Sequence, residues 1–195
     1  AVGMHAVKKA GSLLGQNVVV VGAGTIGLST IMCARAAGAA QVIALEMSSA
    51  RKAKALEVGA SQVLDPSRCD ALGEIRALTG GLGADVSFEC IGNKHTAKLA
   101  IDAIRKAGKC VLVGIFEEPS EFNFFELVST EKQLLGALAY NGEFADVIAF
   151  IADGRLDIAP LVTGRIGLEE IVERGFEELV NNKEHNVKII VSPGG

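Results

Sequence analysis

Residues 18–30 read VVVVGAGTIGLST, four valines followed by glycines at positions 22, 24 and 27. An apolar strand running into G-x-G-x-x-G and then into a helix restricts this chain more than any other feature. Each glycine has its own task. Gly22 permits a tight turn out of the strand. Gly24 lets backbone approach a pyrophosphate where any side chain would collide. Gly27 lets the next helix lie close on the sheet. The helix start at Thr25 and Ile26 presents N–H groups without helical partners and the positive end of a dipole. The same spacing also occurs as a plain turn in a buried core, so its surroundings decide. Here the motif follows a strand, opens a helix, and has an acidic residue, Glu46, at the end of the next strand. Glu46 can accept hydrogen bonds from both hydroxyls of a ribose. A carboxylate there repels a 2′-phosphate, which favours NAD over NADP. Arg51, five residues on, could meet a phosphate, stack near an adenine or pair with Glu46.

The rest of the chain repeats the strand–helix rhythm. Strands are expected at Asn17–Val21, Gln41–Glu46, Gln62–Leu64, Asp85–Glu89, Lys109–Gly114 and Lys132–Ala139. Helices are expected at Thr25–Ala37, from a Ser48 or Ser49 cap to Val58, at Asp70–Leu78 and at Thr96–Lys106, and residues 1–14 read as a connecting helix. A loop with Pro119 and three phenylalanines follows the fifth strand. Six strands alternating with helices imply an α/β chain with a doubly wound, six-stranded parallel sheet of Rossmann type, over residues 1–140. From Asn141 the rhythm is lost. A helix (Glu143–Ala152), an extended piece (Leu161–Ile166), a helix (Leu168–Leu179) and a last strand (Val187–Val191) make a separate α+β segment, residues 141–195. Cys90-Ile91-Gly92 and Val113-Gly114-Ile115 fall at the carboxyl ends of strands four and five, where an open α/β sheet binds its ligand. Such ends are also ordinary core.

Composition narrows the function classes. The net charge is −4, against the basic face a nucleic-acid binder shows. No apolar run approaches the about 20 residues that span a bilayer, and no signal peptide is visible. Cys33, Cys69, Cys90 and Cys110 form no C-x-x-C pair and are expected to be free thiols, which points to a reducing, cytoplasmic setting. With His5, His95 and His185 also scattered, no zinc site is expected from this chain alone. FAD proteins carry this loop at the start of longer chains, and methyltransferases have a looser glycine pattern. A dehydrogenase also needs a proton acceptor and a group to polarise oxygen. The lone tyrosine, Tyr140, lacks a lysine four residues on; His95 is expected to be exposed; Glu89 either faces the ligand edge or serves a structural hydrogen bond. No catalytic set assembles.

At this point the sequence resembles the C-terminal part of the medium-chain, zinc-dependent alcohol dehydrogenases, over Ala1–Pro193. The carrying residues are HAVKKAG, VVVVGAGTIG, ALEMSSAR, GADVSFECIG, LVGIF and LVTGRIGLEEI. Around GALAYNGEFADVI and FEELVNNK the likeness is to (R,R)-2,3-butanediol dehydrogenases, while sorbitol and threonine dehydrogenases share most of the motifs. The resemblance implies a cofactor domain whose GroES-like catalytic partner, with the zinc ligands and proton relay, would precede Ala1. The chain begins with Ala rather than Met, as expected of a processed chain or part of a longer one. The family's last segment returns to the catalytic domain, which would account for the change after Asn141. The resemblance implies that Gly22, Gly24, Thr25, Ile26 and Gly27 hold the pyrophosphate of NAD, and that Glu46 takes the adenosine ribose with Arg51 beside it. Cys90 and Ile91 would flank the rings. Val113, Ile115 and Ala137 would offer backbone groups to the nicotinamide carboxamide, and Lys188 would reach the pyrophosphate. It further implies hydride transfer with a small alcohol or diol in the intact enzyme, the isolated chain being inactive, and a homodimer or homotetramer joined through strand six. A stand-alone NAD-sensing module and a zinc-free NADP reductase of the quinone-reductase type are the rival readings.

Overall fold

The valine run forms β1 (Asn17–Val21), buried over its last four residues. Alternation sends Val18 and Val20 to one face of a sheet and Val19 and Val21 to the other. β2 (Gln41–Leu45) and β4 (Ala84–Glu89) split in the same way, Val42, Ala44, Val86 and Phe88 to one side and Ile43, Leu45 and Ser87 to the other. Each strand is thus covered on both faces, which is why its apolar run is continuous. With β3 (Gln62–Leu64), β5 (Ile104–Leu112) and β6 (Gln133–Gly136) they form a parallel sheet in the order β3-β2-β1-β4-β5-β6. The computed structural model describes residues 1–182 and 184–194.

Helices cover both faces. α1 (Val2–Ala10), α2 (Thr25–Ala36) and α3 (Ser49–Glu57) close one core through Met4, Val7, Leu28, Ile31 and Ala55. α4 (Ala71–Leu78) and α5 (Lys94–Ala103) close the other through Ile75, Ala100 and Ile101. The helix starts have chemical causes: Ser48 Oγ accepts from Arg51 N–H at 3.4 Å and Asn93 Oδ1 accepts from His95 and Thr96 N–H at 3.0 Å each. The strand order reverses between β1 and β4, the place where such a sheet opens a crevice.

Several boundaries differ from the sequence expectation. The helix expected at Thr96–Lys106 ends at Ala103, and β5 starts at Ile104 rather than Lys109. Ala103 and Ile104 are buried against the sheet. The register then slips between Ala84↔Ile104 and Val86↔Lys109, with Ala107 at φ 56 and Arg105 Nε donating to Asp85 Oδ1 at 2.7 Å. β6 stops at Gly136, short of Ala139, whose φ of 53 leaves the extended region. The phenylalanine loop contains a short helix, α6 (Phe124–Thr130), capped by Asn123.

Beyond α7 (Glu143–Ala152), β7 (Val162–Gly167) and β8 (Lys188–Ser192) pair in parallel as a separate two-stranded sheet. The helix expected at Leu168–Leu179 is a 3₁₀ turn (Leu168–Glu170), then a π-helix (Ile171–Glu177), then α8 (Glu178–Asn181). Val172, Phe176 and Val180 on it are exposed and Gly175 alone is buried, against Ile166, so little apolar packing enforces a 3.6-residue period.

Candidate functional site

The three glycines differ in what surrounds them. Gly22 has φ +91, and its N–H donates to Leu45 O at 2.9 Å, so the chain leaves β1 in a turn that an L side chain rarely adopts. A Cβ on Gly27 would lie 1.8 Å from Gly22 O, so α2 approaches its own turn too closely for any other residue. A Cβ on Gly24 would meet nothing within 4 Å. Open space at Gly24, at the N-terminus of α2, is the room a pyrophosphate needs, and the residues present fit the dinucleotide expected.

Glu46 is built into the same loop. Its Oε2 accepts from Ala23 N–H at 2.9 Å, and its Oε1 accepts from Met47 and Ser48 N–H at 2.8 and 2.9 Å. Three backbone donors fix the carboxylate at the mouth of the turn. A carboxylate has about four acceptor sites, so capacity for a ribose hydroxyl remains. Arg51 is half-buried on the first turn of α3. Ile91, half exposed, lies against the turn: its Cγ1 would be 2.5 Å from a Cβ on Gly22.

Cys90 behaves otherwise. Its Sγ lies 3.9 Å from Thr30 Oγ1 on α2, and burial pushes the thiol up to about 12, so it sits as a small apolar group between β4 and α2. Glu89, fully buried, resolves to a structural role: its Oε1 accepts from Ile91 and Gly92 N–H and from Thr96 Oγ1, pinning the turn after β4. Its Oε2 is buried without a partner among the described residues. His95 is exposed, as expected.

Val113, Ile115 and Ala137 come together at the carboxyl ends of β5 and β6, on the wall of an open cavity of about 490 Å³ that His5 and Lys9 of α1 also line. Sequence reasoning left His5 aside, because its partner Glu143 is 138 residues away and no local signal joins them. A larger cavity, about 1050 Å³, lies on the α5 face of the sheet and includes no glycine-loop residue. The C-terminal segment reaches the glycine loop: Thr25 Oγ1 donates to Val187 O at 2.8 Å, and Ser48 Oγ donates to Glu184 Oε2 at 3.2 Å. Lys188, exposed, is therefore the next residue to the turn. The four cysteines are free, and among the described residues no group of three or more His, Cys, Asp or Glu is placed to hold a metal. Among the described residues no helix is long and apolar enough to cross a membrane.

A profile described as zinc-binding dehydrogenase matches residues 25–153. The chain belongs to the zinc-binding dehydrogenase family. The (R,R)-butanediol dehydrogenase of Neisseria gonorrhoeae is 39% identical over 194 residues, covering 99% of this chain and 54% of that protein. Human sorbitol dehydrogenase is 35% identical over 175 residues, covering 89% and 49%. The crystal structure of 2R,3R-butanediol dehydrogenase from Bacillus subtilis superposes with a TM-score of 0.94 at 35% identity, over 100% of this chain and 55% of that one. The chain spans about half the length of the curated relatives it matches, and the sheet order, the turn and the C-terminal β-pair all fall inside the shared half.

Proposed function

We propose that this chain is the NAD(H)-binding part of a zinc-dependent dehydrogenase that passes hydride between a secondary alcohol or diol, of the 2,3-butanediol/acetoin type, and NAD. The observation that carries it is the glycine turn. Gly22 and Gly27 are locked by contact, Gly24 faces open space, and Glu46 is held beside them by Ala23 N–H. Gly22, Gly24, Thr25, Ile26 and Gly27 hold the pyrophosphate, with Lys188 arriving from the C-terminal segment. Glu46 binds the adenosine ribose next to Arg51. Ile91 covers the turn, Cys90 backs it from the core, and Val113, Ile115 and Ala137 face the nicotinamide. The cofactor supplies a hydride acceptor; these residues bind and orient it. Polarising zinc and the proton relay belong to the half of the relatives that this chain does not match.

The exposed apolar residues of the C-terminal segment, Phe144, Ile148, Val172 and Phe176, support a boundary near residue 140, with 141–195 packing in part on a GroES-like catalytic domain. Edge strand β6, with Leu138 and Tyr140 exposed just beyond it, supports a homodimer or homotetramer that extends the sheet. Free thiols support a cytoplasmic protein acting on small molecules rather than nucleic acid or membrane. Names among the relatives keep a sorbitol-dehydrogenase-type substrate as the second reading.

Calorimetry of the chain with NAD and NADP tests this. NAD is expected to bind at least about tenfold more tightly, because a 2′-phosphate meets Glu46. Equal binding removes the NAD reading, and metal-dependent turnover of 2,3-butanediol by these 195 residues alone removes the division of labour.

A further inference from the structure

The helix that starts beside Glu46 already holds an anion of the chain's own. α3 has nine residues, and Ser48 caps it. The first-turn N–H groups of Ser49 and Ala50 lack helical partners, and the helix dipole turns its positive end on the same place. Two carboxylates meet at Ser48. Its backbone N–H donates to Glu46 Oε1 at 2.9 Å, and its hydroxyl donates to Glu184 Oε2 at 3.2 Å. Glu46 is fixed by further backbone donors, Ala23 and Met47. Glu184 comes from the C-terminal segment, 136 residues along the chain from Ser48. Val187, three residues on, is tied on both sides: Thr25 Oγ1 donates to its carbonyl at 2.8 Å, and its own N–H donates to Thr163 Oγ1 at 3.0 Å. The glycine turn and β7 thus anchor the stretch that carries Glu184.

On the NAD reading above, on which this inference rests, Glu46 takes the adenosine ribose, so a 2′-phosphate would be a new anion beside Glu46. The donors next to that place are those at the start of α3, and a nearby arginine is what accommodates the phosphate where NADP is used. Arg51 stands in the first turn of α3. By that count the loop has the donors of an NADP site and one carboxylate, Glu46, set against it. Glu184 changes the count. We infer that Glu184 is a specificity-determining residue: its carboxylate stands at the Ser48 cap of α3, where a 2′-phosphate would settle, and turns that phosphate away. Glu184 is exposed, so its bond to Ser48 competes with water and adds little stability. What it adds is a negative charge at a fixed place. The choice of cofactor is therefore shared between the Rossmann sheet, which supplies Glu46, and the C-terminal segment, which supplies Glu184.

The test measures NAD and NADP affinity by calorimetry on the 195-residue chain, on Glu184→Gln and on Glu173→Gln. Glu184→Gln keeps the size and an oxygen that accepts from Ser48, and loses only the charge. Glu173→Gln makes the same change of net charge at an exposed position of the π-helix. NADP is expected to bind Glu184→Gln about threefold to tenfold more tightly than the unmodified chain, as for one carboxylate acting on a nearly doubly charged phosphate close to water. NAD, without that phosphate, is expected to bind the two chains within about twofold of each other. The NADP gain is expected to shrink as salt is raised from about 0.05 M to about 0.5 M, because exposed charges are screened. Glu173→Gln is expected to leave both affinities unchanged. An NADP affinity unmoved by Glu184→Gln overturns the inference. So does an equal gain in Glu173→Gln, which makes it an effect of net charge, and so does an equal change for NAD and NADP, which is what a merely structural Ser48 contact predicts. Each of these leaves the NAD reading standing while the unmodified chain prefers NAD. If the unmodified chain binds neither cofactor, or prefers NADP, the NAD reading falls first and this inference with it.

Discussion

In the six-stranded sheet Val18 to Val21 are buried on both faces, whereas in the two-stranded sheet near the C-terminus only Ile166 is buried. α2 buries seven of its residues; α7, two residues shorter, buries Glu143 alone and leaves Phe144 and Ile148 exposed. The first region makes its own two cores. The second leans on them through Leu156, with Val147, Phe150, Leu161 and Val187 half-buried beside it, and is also fastened by polar contacts to the face that carries the glycine turn: His5 to Glu143, Thr25 to Val187, Ser48 to Glu184. The difference teaches where substitutions act globally and where they act on one attachment.

The largest effect is expected at Gly27. Its substitution by Ala places a Cβ 1.8 Å from a backbone oxygen that cannot give way. Overpacking of this kind costs about 3 kcal/mol, or roughly 6–12 °C in Tm for a chain of this size. Thermal unfolding checks it, and NAD binding is expected to vanish with the turn. Gly24→Ala, three residues earlier, is expected to separate binding from folding. Its backbone, at φ −74 and ψ −173, suits any residue, and the new methyl meets no protein atom. Gly24 is the N-cap of α2, where Ala is the poorer cap, so stability is expected to fall by only about 0.5–1 kcal/mol, while NAD affinity falls on the order of 100-fold because the methyl occupies the phosphate's room. Unchanged affinity by calorimetry would show that nothing is held at Gly24.

The same contrast explains what could be read from sequence. The six-stranded parallel sheet and the two-faced core were legible because parallel strands write continuous apolar runs, and the glycine turn because Gly22 and Gly27 meet steric demands that only glycine satisfies. Strand β5 was misplaced by five residues. Arg105 and Lys106 read as a helix end, and only pairing with β4 draws Ile104 into the sheet. The C-terminal helix was placed to within two residues, but its 3₁₀ and π turns were not legible, because most of its apolar residues face outward and set no 3.6-residue period. Glu46 was legible by spacing, but its three backbone donors were not, because loop N–H directions leave no trace in composition. His5 was invisible for the reason that makes long-range pairs invisible: each member is ordinary in its own neighbourhood.

A smaller effect sharpens the contrast through pH. Glu143 drops from 4.5 to about 2 on folding, chiefly through the hydrogen bond from His5. Its folded value lies below its unfolded one. The stabilisation is therefore complete above about pH 4.5 and is lost as pH falls towards 2. The Tm of the unmodified chain is expected to exceed that of Glu143→Gln at neutral pH, with the gap closing across that window. Asp65, held down to about 2 chiefly by Lys52, titrates in the same range but is present in both chains and cancels in the difference. A gap that stays constant to pH 2 would mean that the charge of Glu143 does not fasten α7 to α1.

The smallest effect is expected at Thr25→Val, which keeps the shape and the helical N–H but removes the hydroxyl that donates to Val187 O at 2.8 Å. Losing one neutral hydrogen bond costs about 1 kcal/mol. Because the C-terminal segment has little core of its own, that loss is expected to appear there as local opening rather than as global unfolding. Amide exchange at 187–192 is expected to quicken about fivefold, while the amides of β1 stay protected; equal loss in both sheets would show that the segment and the Rossmann sheet open together. NAD then separates two roles for the segment. If Lys188 reaches the pyrophosphate, the cofactor bridges the turn and β8 and restores protection in the variant. If exchange at 187–192 stays fast with NAD bound, the segment touches the turn only through Thr25, and Lys188 takes no part in binding.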